Sequence, residues 1–364
     1  MRSKLLLLLA VAAPSSALAA GACVSEDPTP GGPAGLDSGA EASGSSSSSS
    51  SGSDGSSSDA RSDAAPGRSA DLVDAVSTSS PSALVGNSAN AFWLAGGAIK
   101  RCVDTCSVVV PGGATSVAVD DTYLFVGSAL ALSQCPVAGC DDAGGAAWGT
   151  FSQAPASPRL FVGASVSHAV FAIVAGQVVS CSGGACGNYI ATSPIATAIS
   201  AANDRLVSIN TTDAIFCTAS SPSCSGTVKD GRSGMTAVHV TNTREGFIAV
   251  DKAVYDLPDN VVAFGSASHL ADFGALMTAG ERIVDLASDG TVVYALVDSG
   301  NDNGARILKA DLSPTPNPRA HLVPESPAGV GGGTARYLQL VQNHLYFSIA
   351  NTSAGKEELY RVPK

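Results

Sequence analysis

An apolar segment returns seven times between residues 90 and 350 of this chain, each time after a turn-like lead. The copies read NAFWLAG (90–96), TYLFVGS (122–128), HAVFAIV (168–174), DRLVSIN (204–210), EGFIAVD (245–251), TVVYALV (291–297) and HLYFSIA (344–350). With Trp93, Phe125, Phe171, Val207, Ile248, Tyr294 and Tyr346 aligned, successive copies stand 32, 46, 36, 41, 46 and 52 residues apart. Recurrence at this period marks a repeat architecture, in which a unit too small to bury its own apolar face packs against its neighbours.

Each copy has the same local grammar. A short strand such as TSVAV, ATAIS, MTAVHV, RIVDLAS or RYLQLV precedes a tight polar turn, VDDT, AAND, ASDG or VQNH. The recurrent apolar strand follows, then a third strand: AIKRC, ALSQC, QVVSC, DAIFC, AVYDL, RILKADL or ELYRVP. A fourth segment closes most copies, for example SVVV, NYIAT, GTVK or NVVAF. Short strands between Gly, Asn, Asp and Ser turns predict an all-β chain. Four strands in about forty residues, seven times over, predict a seven-bladed β-propeller. The central strands are apolar on both faces, as strands sandwiched between neighbouring blades must be. The last copy ends on its third strand. DLVDAVS (71–77), just ahead of the first copy, is the candidate for the missing outer strand; otherwise the last blade has three.

Eight of the nine cysteines form close pairs at equivalent places: Cys102/Cys106, Cys135/Cys140, Cys181/Cys186 and Cys217/Cys224. Each first member ends a third strand. Copies one to four carry both cysteines and copies five to seven carry neither, so the two residues act as a unit. Zinc knuckles need C-x2-C with a second ligand pair nearby, and a thioredoxin-type site needs C-x-x-C; neither spacing occurs. Opposed residues of a β-hairpin lie within disulfide range, so four disulfides are predicted, each worth on the order of 2 kcal/mol by loop entropy.

YLFVGS-like strands after a VDDT-like turn, with CPVAGC and CSGGAC after the next strand, resemble a group of exported bacterial repeat proteins. These couple a lipoprotein-type leader and a Ser/Gly-rich linker to a YWTD- or NHL-like propeller. The resemblance covers about residues 82–364 and implies a fold. The group has no shared catalytic motif to carry over. Here the aromatic pair is complete only in Phe92-Trp93 and Tyr346-Phe347.

The N-terminal region reads differently. MRSKLLLLLAVAAPSSALAAGAC has a basic start, a short apolar run and small residues, the pattern of an export signal over residues 1–22. Leu18 to Cys23 resembles a lipobox, which predicts lipidation of Cys23 and attachment at a bacterial cell envelope, at the outer membrane or cell surface. The competing site, Ala17-Leu18-Ala19, would release a secreted, soluble protein. Residues 23–69, centred on GSSSSSSSGSDGSSSD, are a predicted disordered tether, with a root-mean-square reach of roughly 35–40 Å. The folded domain is then 70–364. The net charge is −11, and residues 24–80 hold nine acidic and two basic side chains. No Lys/Arg stripe occurs, so nucleic acid is not an expected partner.

Chemistry is sparse. There is no G-x-S-x-G, H-E-x-x-H, Walker loop or dinucleotide fingerprint. GVGGGTAR (329–336) reads as a connecting loop. DSGNDNGAR (298–306) fails the EF-hand pattern, because Ala310 stands where a bidentate Glu is required. It reads as a polar hairpin loop in which Asp298, Asn301 and Asp302 offer at most a weak calcium site; no cofactor is predicted. The histidines, at 168, 239, 269, 321 and 344, fall in different repeats. His168 and His344 read as turn residues, while His239, on a predicted innermost strand, is a candidate for the axial channel. Asp120, Asp121, Asn203, Asp204, Asp289 and Asn343 are rim candidates on one face, with local turn chemistry as the competing explanation.

The function expected from these features is non-enzymatic: a monomeric, lipid-tethered, disulfide-stapled propeller that binds a protein or glycan on one face. The alternative is a propeller lyase or hydrolase with its site at the axial channel. A structural part of envelope assembly resembling the quinoprotein-like propellers is a third class. It is disfavoured because those use tryptophan-rich blade docking, and this chain has only Trp93 and Trp148.

Overall fold

The computed structural model describes residues 70–77, 81–140, 145–163, 168–189, 195–218, 227–229, 234–243, 245–257, 269–299, 305–312, 318–319 and 333–364. Among these residues there is no helix, and the strands form seven sheets in chain order, the blades of a seven-bladed β-propeller. The aligned apolar segments are the second strands: Ala91–Ala95, Tyr123–Ser128, Val170–Val174, Arg205–Ile209, Gly246–Val250, Val292–Asp298 and His344–Asn351. Each pairs antiparallel with an innermost strand on one side and the expected third strand on the other.

The period-2 pleat explains why these strands are apolar throughout. In the first blade Phe92 and Leu94 pack with Val117 and Leu124 of the second. Ala91, Trp93 and Ala95 face the other way, onto Tyr346 and Leu359 of the seventh. The same division recurs at the other blade boundaries, giving seven apolar clusters, one per boundary. The core is therefore a set of wedges between blades, and no blade buries its second strand alone.

The seventh blade is completed from the other end of the domain. Asp71–Ser77 pairs antiparallel with Lys356–Pro363, giving the spatial order Asp71–Ser77, Lys356–Pro363, His344–Asn351, Thr334–Val341. A register shift between Leu72 and Asp74 lets both Val73 and Val76 pack on the Trp93 cluster. Asp74 is paired with Lys100 of the first blade at 2.5 Å. The last copy is thus four-stranded, with its outer strand supplied by the residues ahead of the first repeat.

Outer strands were the least legible part. In the second blade the fourth strand is Ala146–Thr150, and in the fifth it is His269–Asp272. NVVAF (260–264) lies outside the described residues, as do residues 190–192 of NYIAT. Of that segment, Asn188 is the residue that pairs.

Three of the predicted disulfides are formed: Cys102–Cys106, Cys135–Cys140 and Cys181–Cys186, with Cα separations of 4.1, 5.0 and 4.3 Å. Cys217 is buried at the end of its third strand, and Cys224 lies outside the described residues, as does Cys23. Of these three pairs, only Cys102 and Cys106 are directly opposed in a hairpin. The loops do more than close hairpins, because each reaches back onto the preceding blade. The Cys140 amide donates to Val109 O of the first blade at 3.3 Å. Gly139 beside it, at φ +138, is so close that a Cβ would stand 3.1 Å from that oxygen. Gly184–Ala185, inside the third loop, adds a short parallel strand to Ala146–Thr150 of the second blade. Val103 O, inside the first loop, accepts Tyr346 Oη at 2.5 Å and Arg361 Nη1 at 2.9 Å from the seventh blade.

The Cys102–Cys106 bond therefore orders the loop that holds the closing seam. Replacing both cysteines by serine is expected to cost about 2 kcal/mol from loop entropy, plus about 1 kcal/mol for the loosened Tyr346 hydrogen bond. In a double-mutant cycle with Tyr346→Phe, additive losses would show that the loop does not act on the seam.

Candidate functional site

The innermost strands of the seven blades converge on one cavity of about 610 Å³ at the axis, open on the face that carries their first turns. Every blade contributes, through residues such as Asn87, Asp120, His168, Asn203, His239, Asp289 and Gln342. One lining residue, Arg159, belongs to a buried charged pair that sequence reading missed. Arg159, from the short inner segment of the third blade, reaches across to the sixth and seventh. Its Nη1 lies 2.5 Å from Asp285 Oδ2, and its Nη2 lies 3.4 Å from both Leu338 O and Gln339 Oε1. The guanidinium stands over the Phe161 ring at 5.2 Å and the Tyr337 ring at 5.8 Å. Both partners are largely buried, at 11% and 9% side-chain exposure. Arg159 Nε is buried with no hydrogen-bond partner.

Asp285 is aimed at the axis by a register shift between Ile283 and Asp285 in its strand. Burial raises its pKa; the Arg159 charge and the amides of Leu338 (2.7 Å) and Leu286 (2.9 Å) oppose that rise. The sequence did carry a signal: an acidic residue in the middle of RIVDLAS, on a strand otherwise suited to the core. Arg159 carried none, since its inner strand, Phe161–Val162, is only two residues long.

His239 lines the same cavity, as its predicted place on an innermost strand required. Burial and then the Arg159 charge push its pKa down to about 3, against a hydrogen bond with the Ser288 backbone. It is a neutral imidazole at neutral pH. An unfolded chain takes up this proton near pH 6.5 and the folded chain does not until about 3. The contribution of His239 to stability is thus lost as pH falls through that window. His239→Gln is expected to flatten the acid limb of a thermal-stability profile between pH 6.5 and 3; an unchanged limb would disprove the burial argument.

At the mouth, Asp120 and His168 form a pair. Asp120 Oδ2 lies 2.6 Å from His168 Nδ1, while Asp120 Oδ1 accepts the amides of Thr122 (2.7 Å) and Tyr123 (2.6 Å). The Tyr123 ring stands edge-on to the imidazole, 5.0 Å between centroids. His168 adopts φ +46, the left-handed region that β-carbon-bearing residues enter rarely. The turn reading of His168 and Asp120 holds locally, and the fold adds what spacing could not reveal, a contact across 48 residues between two blades.

The other rim candidates divide. Asp121 lines the cavity, and its Oδ1 accepts the Ser88 amide of the first blade at 3.0 Å. Asn203 donates to Asn242 O of the fifth blade. Asp289 accepts from Lys364 Nζ at 2.8 Å; although burial opposes it, hydrogen bonds from Lys364, Thr291 and the Val292 amide hold its carboxyl well below the usual range. Asp204 and Asn343 do not belong to the lining, and the charge of Asp204 acts instead on Tyr189 of the neighbouring blade. Asp298 of the weak calcium candidate is paired with Arg282 at 3.2 Å, and Asn301 and Asp302 lie outside the described residues. Among the described residues, no group of three or more His, Cys, Asp or Glu side chains is placed to hold a metal ion.

No protein-family model matches the chain, and no curated protein sequence matches it. Among solved structures it is similar to a catalytically inactive His-to-Ala variant of virginiamycin B lyase from Staphylococcus aureus with quinupristin. That match has 9% identity and a TM-score of 0.52, covering 79% of this chain and 98% of the other. It is also similar to the β-propeller domain of Myceliophteria thermophila Cps50 (Swd1), with 12% identity and a TM-score of 0.56, covering 80% and 99%. At these identities the likeness concerns the fold.

Proposed function

We propose that this protein is a binding module that engages a protein or glycan at its axial cavity, displayed outside the cytoplasm on a lipidated N-terminal tether. The observation that carries the reading is a polar cavity lined by all seven blades, whose charged side chains are largely committed to partners within the protein. Such a site recognises by shape and hydrogen bonds. The disulfides support an oxidising, exported setting, and lipidation at Cys23 supplies the attachment. Crosslinked capture from envelope fractions tests the binding role, using the parent and an Asn242→Trp variant that narrows the mouth. Partners captured by the parent and lost from the variant support it; the same set from both sinks it.

Attachment has its own test. The intact mass of native protein from its own membranes is expected to begin at Cys23, carry acyl chains and show all four cysteine pairs oxidised. A start at Ala20 would replace the anchored reading with a secreted one.

The second reading, a lyase or hydrolase, draws on the Asp120–His168 pair, an oriented imidazole at a cavity, and on the lyase among the structural neighbours. Turnover of a captured ligand, abolished by His168→Ala, would establish it in place of the binding role.

A further inference from the structure

The chemical class of the ligand is legible in how the cavity spends its charges. Arg159 is held by Asp285 and Asp289 by Lys364, while Asp120 is hydrogen-bonded to His168 and to two backbone amides. Asp121, at the mouth, is the exposed exception. An anionic ligand finds no uncommitted positive charge here, and burying it would cost more than it gains. What the cavity leaves open is uncharged hydrogen-bonding capacity. His168 Nε2 has no partner among the described residues, and the exposed side chains of Asn242 and Gln342 stand at the same opening. Phe161 adds an apolar patch. A volume of about 610 Å³ lies inside the span of about 300–1,000 Å³ common for small-ligand pockets.

We propose that the cavity binds the neutral, hydroxyl-rich end of a glycan, with His168 Nε2 hydrogen-bonded to a sugar hydroxyl. The inference rests on the proposed binding role and names its ligand class. The imidazole is built for this contact. Asp120 takes Nδ1, two backbone amides fix Asp120, and the Tyr123 edge fixes the ring plane, so Nε2 is the nitrogen left for a ligand. A hydroxyl is donor and acceptor at once and suits that nitrogen in either protonation state. The left-handed backbone at His168 keeps it there; asparagine would adopt that conformation more easily, so histidine is not explained by the turn alone.

The test is calorimetric titration of the full chain with maltotriose, cellotriose and tri-N-acetylchitotriose, and with a sulfated disaccharide as the charged control. At least one neutral sugar is expected to bind and the sulfated one to be rejected. His168→Asn, which suits the turn and can still reach Asp120, is expected to weaken that binding roughly tenfold with no loss of thermal stability. Binding by none of the neutral sugars, preference for the sulfated one, or unaltered binding by His168→Asn would each overturn the proposal. If the sugars fail while Asn242→Trp still abolishes capture from envelope fractions, the binding role stands and the glycan assignment falls.

Discussion

Arg159→Met is expected to destabilise the folded domain by about 3–5 kcal/mol at neutral pH, the usual cost of removing one partner from a buried ion pair. The guanidinium it removes is the group that offsets the burial of Asp285. Without it, the carboxylate stays buried with only the Leu338 and Leu286 amides for company. The pH dependence gives the sign. A raised carboxyl pKa means that the folded chain holds the proton more tightly than the unfolded one, so stability falls as pH rises through that window. The variant, with its Asp285 pKa raised further, should recover part of its loss between pH 7 and pH 4. Removing the Arg159 charge also relaxes the depression of His239, which acts in the same direction. Asp285→Asn in the Arg159→Met background removes the buried charge but keeps an acceptor for only one of the two amides, so it should restore part of the loss. Denaturant unfolding of the three variants at pH 7 and pH 4 decides it; a loss under about 1 kcal/mol for Arg159→Met would show that the pair is not structural.

Removing the closing strand is the other large effect. A chain that begins at residue 78 lacks the ladder from Asp71–Ser77 to Lys356–Pro363, the Asp74–Lys100 pair and the cover that Val73 and Val76 place over the Trp93 cluster. Several backbone hydrogen bonds and two half-buried valines come to roughly 5 kcal/mol, or on the order of 10 °C in Tm for a domain of this size. Lys356–Pro363 becomes an unpaired edge, so association through that edge is expected as well. Differential scanning calorimetry and size-exclusion chromatography of chains starting at residues 70 and 78 measure both. Equal Tm values and two monomers would mean that the ring is held by its wedges alone.

Much of the fold was readable because its signals are local. Second and third strands announce themselves by apolar runs and tight turns, and all seven stand where the recurrence put them. The paired cysteines were readable through their joint presence and absence. Outer strands were readable in part: SVVV, the TVK of GTVK and DLVDAVS form them, whereas Ala146–Thr150 is half solvent-facing and carries little periodic pattern. The site was legible only in outline. A histidine on an innermost strand and acidic turns on one face were enough to point to the axis, but Asp204 shows the limit: it shares its turn with Asn203 and faces a different neighbour.

What the sequence alone determined is what depends on contacts within about forty residues: seven units, the second and third strands of each, and cysteines close enough to bond. What the tertiary structure decided is everything that crosses the axis or the seam. Arg159 meets Asp285 across 126 residues, Asp120 meets His168 across 48, and Val103 is held by Arg361 across 258. Such pairs leave no trace in periodicity or spacing, because ring closure brings together positions whose separation along the chain carries no information about their separation in space.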